Sequence, residues 1–410
     1  MKSWIKKPWI KILIGLTLGV SVGLIVGKDI EIFNVAGKIF IDLLRMLVGL
    51  IIFSSLVVGI CHINDPKKLG RIGLTTFAFY AITTLIAIAI GLVFAYVIKP
   101  GVGLNLKHSL GVNFTEPTLM SWSDFTLSLV PKNPFASFTE GNVLQVIVFA
   151  VLFALGITIS GERGKPVLSF LESVAEIMYS LAHLIMRLAP IGVFALMASA
   201  IGSTGIRLIY PLAKFLVCNY LACIIQIGVI FSLILRYAKL EIAPFFKGMK
   251  DAIVVAFSTS SSSATLPVSL ECARDHLGVS KDVAGFVMSL GSTVNMNGAA
   301  IGQAISAVFI AQAYGIPLSA LKIITLFVIS LVSAIGAAGV PGTGLIMLSV
   351  VLNAMGLPLE GIALLAGVDR IREMISSVVN VLGDAVAAVF IAKREKQIDE
   401  DQYHHTTWLE

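Results

Sequence analysis

Charge is scarce in this chain. Of its 410 residues only 13% are Asp, Glu, Lys or Arg, about half of the roughly 25% usual in a soluble domain, while 57% are hydrophobic. A soluble core can hide one long apolar run. It cannot hide the series that recurs from Trp9 to Ala392, where several runs exceed the roughly 18 to 20 residues that cross a bilayer core of about 30 Å. Cysteine is scarce too: Cys61, Cys218, Cys223 and Cys272 form no CxxC pair and have no histidine at ligand spacing, so they read as packed free thiols. His62, His108, His183 and His276 are isolated, and neither an HExxH nor a Ser/His/Asp pattern occurs. These gaps argue against an enzyme and leave no cofactor to predict. The net charge of +6 sits in short Lys/Arg clusters beside apolar blocks, which reads as membrane topology and predicts no nucleic-acid partner.

Blocks at about 9–27, 38–62, 72–98, 143–160, 175–203 and 209–236 predict six membrane helices. The first follows Lys2, Lys6 and Lys7 like a signal peptide, but it lacks a small-residue cleavage site and reads as a retained span. Lys67, Lys68 and Arg71 follow the second block, Arg163 and Lys165 the fourth, and Lys239, Lys247 and Lys250 the sixth. Alternate loops are therefore basic, which places them and the N-terminus in the cytoplasm of a multi-pass cell-membrane protein. The Pro-, Asn-, Ser- and Thr-rich stretch at 99–142 reads as an external connection, and the tail from Arg394 to Glu410 as a solvated cytoplasmic end.

Beyond Lys250 polar residues interrupt the apolar runs. The segment at 244–276 carries Ser258 through Ser263 between apolar pieces of about 12 residues, each near 18 Å as a helix and too short to span. A polar break at membrane depth is tolerated only inside protein or beside a wet cavity, so the economical form is a re-entrant hairpin; a single Ser-kinked helix is the alternative. The segment at 322–356 breaks likewise at Gly336 through Gly344, around Pro341. Each break precedes a span, at 283–312 and at 360–392. Positive-inside orientation makes the two units inverted repeats, a pointer to a transporter's midplane site. The predicted fold is all-α and polytopic, with eight transmembrane helices plus two re-entrant helical hairpins.

Gly291, Ser292, Thr293 and Asn295-Met296-Asn297-Gly298 give the seventh span amides and freed carbonyls suited to a small hard cation, or simply to interhelical hydrogen bonding. In the eighth span Asp369, Glu373, Ser376, Asn380 and Asp384 fall within about 80° on one helical face. Ionisable groups at that depth cost about 2.5 to 3.5 kcal/mol each on insertion scales, which marks the face as functional, although Arg372 and Glu373 also fit a structural ion pair.

Ser260 through Pro267, Asn295 through Gly298, Gly336 through Gly342 and Asn380-Val381-Leu382-Gly383-Asp384 together resemble the dicarboxylate/amino acid:cation symporter family, across essentially the whole chain. The resemblance implies a homotrimer with an elevator-type transporter fold. In it residues 1–71 and most of 99–240 form a scaffold, 72–98 and 241–396 a moving transport core with the second hairpin as external gate, and 397–410 a cytoplasmic tail. It implies substrate contacts at Ser261, Ser262, Ser263, Gly339, Val340, Glu373, Ser377 and Asn380. It implies one cation site at Gly291, Asn295, Asn380 and Asp384, another at Tyr80, Thr83, Thr84, Asn295 and Asn297, and a third at the backbone near Thr293 and Ala334 to Ala337. Sodium enters this picture as a transported ion. Two departures stand out. The arginine that forks onto an acidic substrate is replaced by Ser376, and the family's other arginine position by Met374, so Arg372 becomes the candidate substitute if the substrate is acidic. Asn297 stands where the family carries Asp, and Ala299 where it carries Thr, which points to fewer sodium ions or to a proton carried by Glu373. The function expected is cation-coupled symport of a small amino acid or dicarboxylate, with an ion-conducting channel of the same fold as the alternative.

Overall fold

The computed structural model describes residues 8–27, 31–63, 66–104, 130–140, 143–204, 208–335 and 343–404. Gly339 and Val340, Lys2, Lys6 and Lys7, and most of the connection at 99–142 lie outside them. Among the described residues nearly everything is helical, and the one β-bridge, Val279 to Ile398, is isolated.

The first three helices, α1 (Pro8–Val26), α2 (Glu31–Ile63) and α3 (Pro66–Ile98), cover the first three predicted blocks. A short helix α4 (Pro134–Thr139), capped by Asn133, leads into α5 (Val143–Ser160). The predicted block at 175–203 is not one helix: α6 (Lys165–Met186) ends before α7 (Ala189–Thr204). Pro190 explains the division, since it offers no N–H to the Met186 carbonyl and its ring crowds that turn. The N–H groups of Ile191 and Gly192 instead donate to the Leu188 carbonyl, at 3.0 and 2.9 Å. Helix α8 (Ile209–Ile225) passes through a π turn at Gln226–Phe231 into α9 (Ser232–Tyr237).

The rest of the chain builds the centre: α10 (Ile242–Gly248), α11 (Lys250–Thr259), α12 (Ser262–Glu271), α13 (Lys281–Val294), α14 (Asn297–Ala313), α15 (Ala320–Ile335), α16 (Thr343–Ala354), α17 (Gly361–Arg394) and α18 (Glu400–His404). Among the described residues four stretches are long and apolar enough to cross a membrane: Ile72–Ile98, Ile209–Tyr237, Lys281–Ala313 and Leu364–Arg394. The apolar parts of the last two are 94% and 83% buried, those of the first two only 39% and 33%, so α13, α14 and α17 form the enclosed middle. Leu74, Val93 and Val97 on α3 and Val217 and Ile224 on α8 point outward, which a membrane protein can afford because lipid covers them. Helix α14 packs on α3, α8, α15, α16 and α17, while α17 also touches α7, α11 and α13. On the periphery α1 lies along α7 through Gly15, Gly19 and Gly23. A Cβ on Gly19 would come within 2.6 Å of the Phe194 carbonyl oxygen, and one on Gly23 within 2.7 Å of that of Ala198, so small residues set this close approach.

The C-terminal segment is not a solvated end up to His404. Behind α17 the chain turns back: the Ser280 N–H donates to the Gln397 carbonyl at 3.0 Å, the Asp399 N–H to that of Gly278 at 2.8 Å, and the Gln402 amide to that of Asp275 at 2.7 Å. Tyr403 is fully buried, and its hydroxyl donates to the Glu241 carbonyl at 2.6 Å. Burial, with Glu241 nearby, holds its phenol well above the usual range, so it stays a donor. The sequence concealed this because one aromatic among charged residues carries no periodic signal. Tyr403→Ala should remove about 3 to 5 kcal/mol of packing and lower the melting temperature of the detergent-solubilised protein by several degrees. An unchanged melting curve would show that the segment is not docked.

Candidate substrate and cation site

Helices α11 and α12 pack against each other and meet at Ser260 and Ser261. Ser260 ends α11 in the left-handed region at φ +52°, a conformation that costs about 1 to 2 kcal/mol in a residue with a Cβ. Ser261 is extended, and its hydroxyl accepts the Ala264 N–H at 3.1 Å, capping α12. The Thr265 hydroxyl donates back to the Ser261 carbonyl at 2.7 Å. Pro267, inside α12, provides no N–H for the Ser263 carbonyl. Ser260, Ser261 and Ser262 are all buried, and Ser263 partly so, at a helix N-terminus whose free N–H groups favour a carboxylate. The Ser260 hydroxyl is buried without a partner, which sequence reasoning did not single out.

The span expected at 283–312 is interrupted. Asn295 and Met296 leave helical geometry, at φ −96°, ψ 74° and φ −102°, ψ 52°, and split it into α13 and α14. The Asn295 amide donates to Asp384 Oδ1 at 2.8 Å, while its own carbonyl oxygen is buried and unpartnered. Gly291 faces the same spot: a Cβ there would overlap the Asp384 carboxylate and come within 2.6 Å of the Tyr80 hydroxyl. Tyr80 donates to the Val287 carbonyl at 2.8 Å, and Asn380 Oδ1 accepts the Gly298 N–H at 2.7 Å. A carboxylate, an unpaired amide oxygen and a missing side chain fit a small hard cation.

The second set of expected cation residues shares Asn295 with the first, but its other side chains offer less free oxygen. Thr84 donates to Asn297 Oδ1 at 2.8 Å, which leaves the Asn297 Nδ2 donor buried and unpartnered. The Thr83 hydroxyl is spent on the Phe79 and Tyr80 carbonyls at 3.0 and 3.2 Å. Gln226, in the π turn, donates weakly to the Thr83 carbonyl at 3.5 Å, and no sequence pattern announced it. The Thr293 side chain is exposed and its hydroxyl donates to the Leu290 carbonyl within its own helix at 3.1 Å, so a cation contact there would come from its backbone, as expected for the third site.

On α17, Glu373, Ser377, Asn380 and Asp384 are buried in one row. Two ion pairs flank it. Arg372 donates from Nε and Nη2 to Asp369 Oδ1, at 2.7 and 2.6 Å, with its guanidinium where the Cβ of Gly302 on α14 or Gly344 on α16 would fall. Arg370 lies 3.4 Å from Glu373 and donates to the Thr259 carbonyl at 3.0 Å, reaching the break between α11 and α12. Ser376 is buried, with its hydroxyl on the Arg372 carbonyl at 3.1 Å and its backbone so close to Gly298 that a Cβ on that glycine would overlap it.

Membrane-length helices enclosing broken segments and a row of buried ionisable groups define a multi-pass membrane transporter rather than an enzyme. The chain belongs to the sodium:dicarboxylate symporter family, which matches residues 9–394. It is 36% identical over 407 residues to the proton/sodium-glutamate symport protein of Geobacillus stearothermophilus, covering 96% of this chain and 95% of that protein. It is 37% identical over 380 residues to the proton/glutamate-aspartate symporter of Escherichia coli K12 (90% and 87%), and 34% identical over 404 residues to the C4-dicarboxylate transport protein of Bacillus subtilis (96% and 95%).

Gly291→Ala should abolish the stabilisation that sodium, compared with choline, confers on the purified protein. Gly285→Ala, whose added methyl meets nothing within 4 Å, should leave it intact. Equal sodium response in wild type and Gly291→Ala would remove the cation from this spot.

Proposed function

We propose that the protein is a secondary active symporter that carries an acidic amino acid or C4-dicarboxylate together with sodium and a proton. The observation that carries this reading is the buried charge on α17: Arg370 lies beside Glu373 and Arg372 pairs with Asp369, while Asp384, about 18 Å further along the helix, has only the Asn295 amide, which leaves one unit of negative charge uncompensated. Uncompensated charge away from water is strongly unfavourable. One sodium ion beside Asp384 neutralises the set. A substrate with one net negative charge then needs a second cation, and a proton on Glu373 supplies it. The names of the relatives, which include proton/sodium-glutamate and C4-dicarboxylate carriers, accord with this.

In this reading Ser261, Ser262, Ser263, Gly339, Val340, Glu373, Ser377 and Asn380 surround the substrate, with Arg372 and Ser376 on the flank. Gly291, Asn295, Asn380 and Asp384 hold sodium. The set of Tyr80, Thr83, Thr84, Asn295 and Asn297 is weakened as a cation site, because the unpaired Asn297 donor replaces a carboxylate. Residues 72–98 and 241–396 move as a transport core against a scaffold of 1–71 and most of 99–240, elevator fashion, within a homotrimer whose termini are cytoplasmic.

Purified protein in liposomes should accumulate labelled aspartate when either an inward sodium gradient or an inward proton gradient is imposed, with about one sodium ion per substrate. Unlabelled aspartate inside should accelerate exchange. Steep sodium dependence without any pH dependence would overturn the proton, absence of exchange would indicate a channel, and exchange of neutral amino acids alone would reassign the substrate.

A further inference from the structure

The family's substrate arginine is absent from α17, where Ser376 stands, and two other arginines bracket the buried row. We propose that Arg370 is the residue that selects for the substrate's distal carboxylate, and that Arg372 is a structural tie. The inference rests on the acidic-substrate reading above and assigns its specificity to one side chain.

Position along the helix separates the two arginines. At about 100° per residue Arg370 lies about 20° from Ser377 and about 60° from Glu373, whereas Arg372 lies about 140° from Ser377 and about 100° from Glu373. Arg370 therefore shares the face that carries the polar row. Its reach is also the relevant one: Nη2 touches the carbonyl of Thr259, the last residue of α11, one step from the Ser260–Ser261 break and the N-terminus of α12. A dicarboxylate has two anionic ends. The α12 N-terminus suits one, and the guanidinium beside it suits the other.

Arg370 also has capacity to spare. Its side chain is nine-tenths buried, its contact to Glu373 is long at 3.4 Å, and its Nε–H is buried with no partner. A buried donor without an acceptor is costly, and an arriving carboxylate would satisfy it. Protonation of Glu373 would release the guanidinium to the substrate, which links selection to the proton. Arg372 is buried as well but has less to spare. Two of its donors already meet Asp369, and its guanidinium is wedged between Gly302 and Gly344, tying α17 to α14 and α16.

The test compares aspartate with asparagine, its neutral isostere, as competitors of uptake into proteoliposomes. Wild type should prefer aspartate. Arg370→Gln should cut that preference at least about tenfold, through KM rather than maximal rate. Arg370→Lys, which keeps the charge but not the fork, should fall between. Arg372→Gln should slow both substrates and keep the ratio. Sodium-dependent stabilisation reports that each variant is folded, since the Asp384 region is separate. A folded Arg370→Gln that retains the preference, or an Arg372→Gln that loses it, overturns the assignment. A wild type indifferent to aspartate over asparagine overturns the acidic-substrate reading and the assignment with it. If Arg370→Gln does not fold, the ratio in Arg370→Lys decides: an unaltered ratio refutes the role and a reduced one supports it.

Discussion

Polar groups at membrane depth have no water to fall back on, so each must find a partner inside the protein or be reserved for a ligand. The break at Ser260–Ser261, the break at Asn295–Met296 and the π turn at Gln226–Phe231 all free backbone groups, and α11, α13, α14 and the α8–α9 run that bear them all pack against α17. The long helix is the common wall. Its Asp384 takes the Asn295 amide, its Asn380 takes the Gly298 N–H, and its Arg370 takes the Thr259 carbonyl. Among the groups that stay unsatisfied around them are the Ser260 hydroxyl, the Asn295 side-chain oxygen and the Arg370 Nε, which in the proposed function are the capacity left for cargo.

Glycine makes this closeness possible where a methyl would not fit. Gly298 brings the first turn of α14 onto the Ser376 backbone, Gly291 leaves room between Asp384 and Tyr80, and Gly302 with Gly344 admits the Arg372 guanidinium. The Asp369–Arg372 pair thus sits where three helices meet, one of them following the segment at 336–342. A buried pair of this kind stabilises little by itself but punishes the loss of either partner, which suits a tie that holds register.

Long apolar blocks were legible because a single property, uninterrupted hydrophobicity, dictates them; α1, α3, α5 and α17 lie close to where composition put them. The Ser-rich break was legible too, since two short helices flank it in the structure as expected. Less visible were features that depend on a partner far along the chain. The division at Arg187–Leu188 turns on Pro190 inside an otherwise apolar run. The unwinding at Asn295–Met296 depends on Asn380, which accepts the freed Gly298 N–H, and on Asp384, which holds the Asn295 side-chain amide. Helical spacing identified the row on α17 and sets Arg370 nearer to it than Arg372, but the contact of Arg370 with α11 and the wedging of Arg372 between α14 and α16 depend on what those helices bring against them. Docking of Tyr403 under Glu241 lay beyond any local pattern.

In the proposed function coupling rests on charge neutralisation in the buried row, and counting protons addresses it most directly. Aspartate binding to the purified protein in saturating sodium should be followed by titration calorimetry in buffers of different ionisation enthalpy, near neutral pH. The heats should differ among buffers by an amount that corresponds to uptake of up to about one proton per aspartate, because a site made neutral by sodium takes the substrate's charge with a proton. Identical heats in every buffer, across the pH range in which aspartate binds, would mean that no proton accompanies the substrate and that the row on α17 is neutralised in another way.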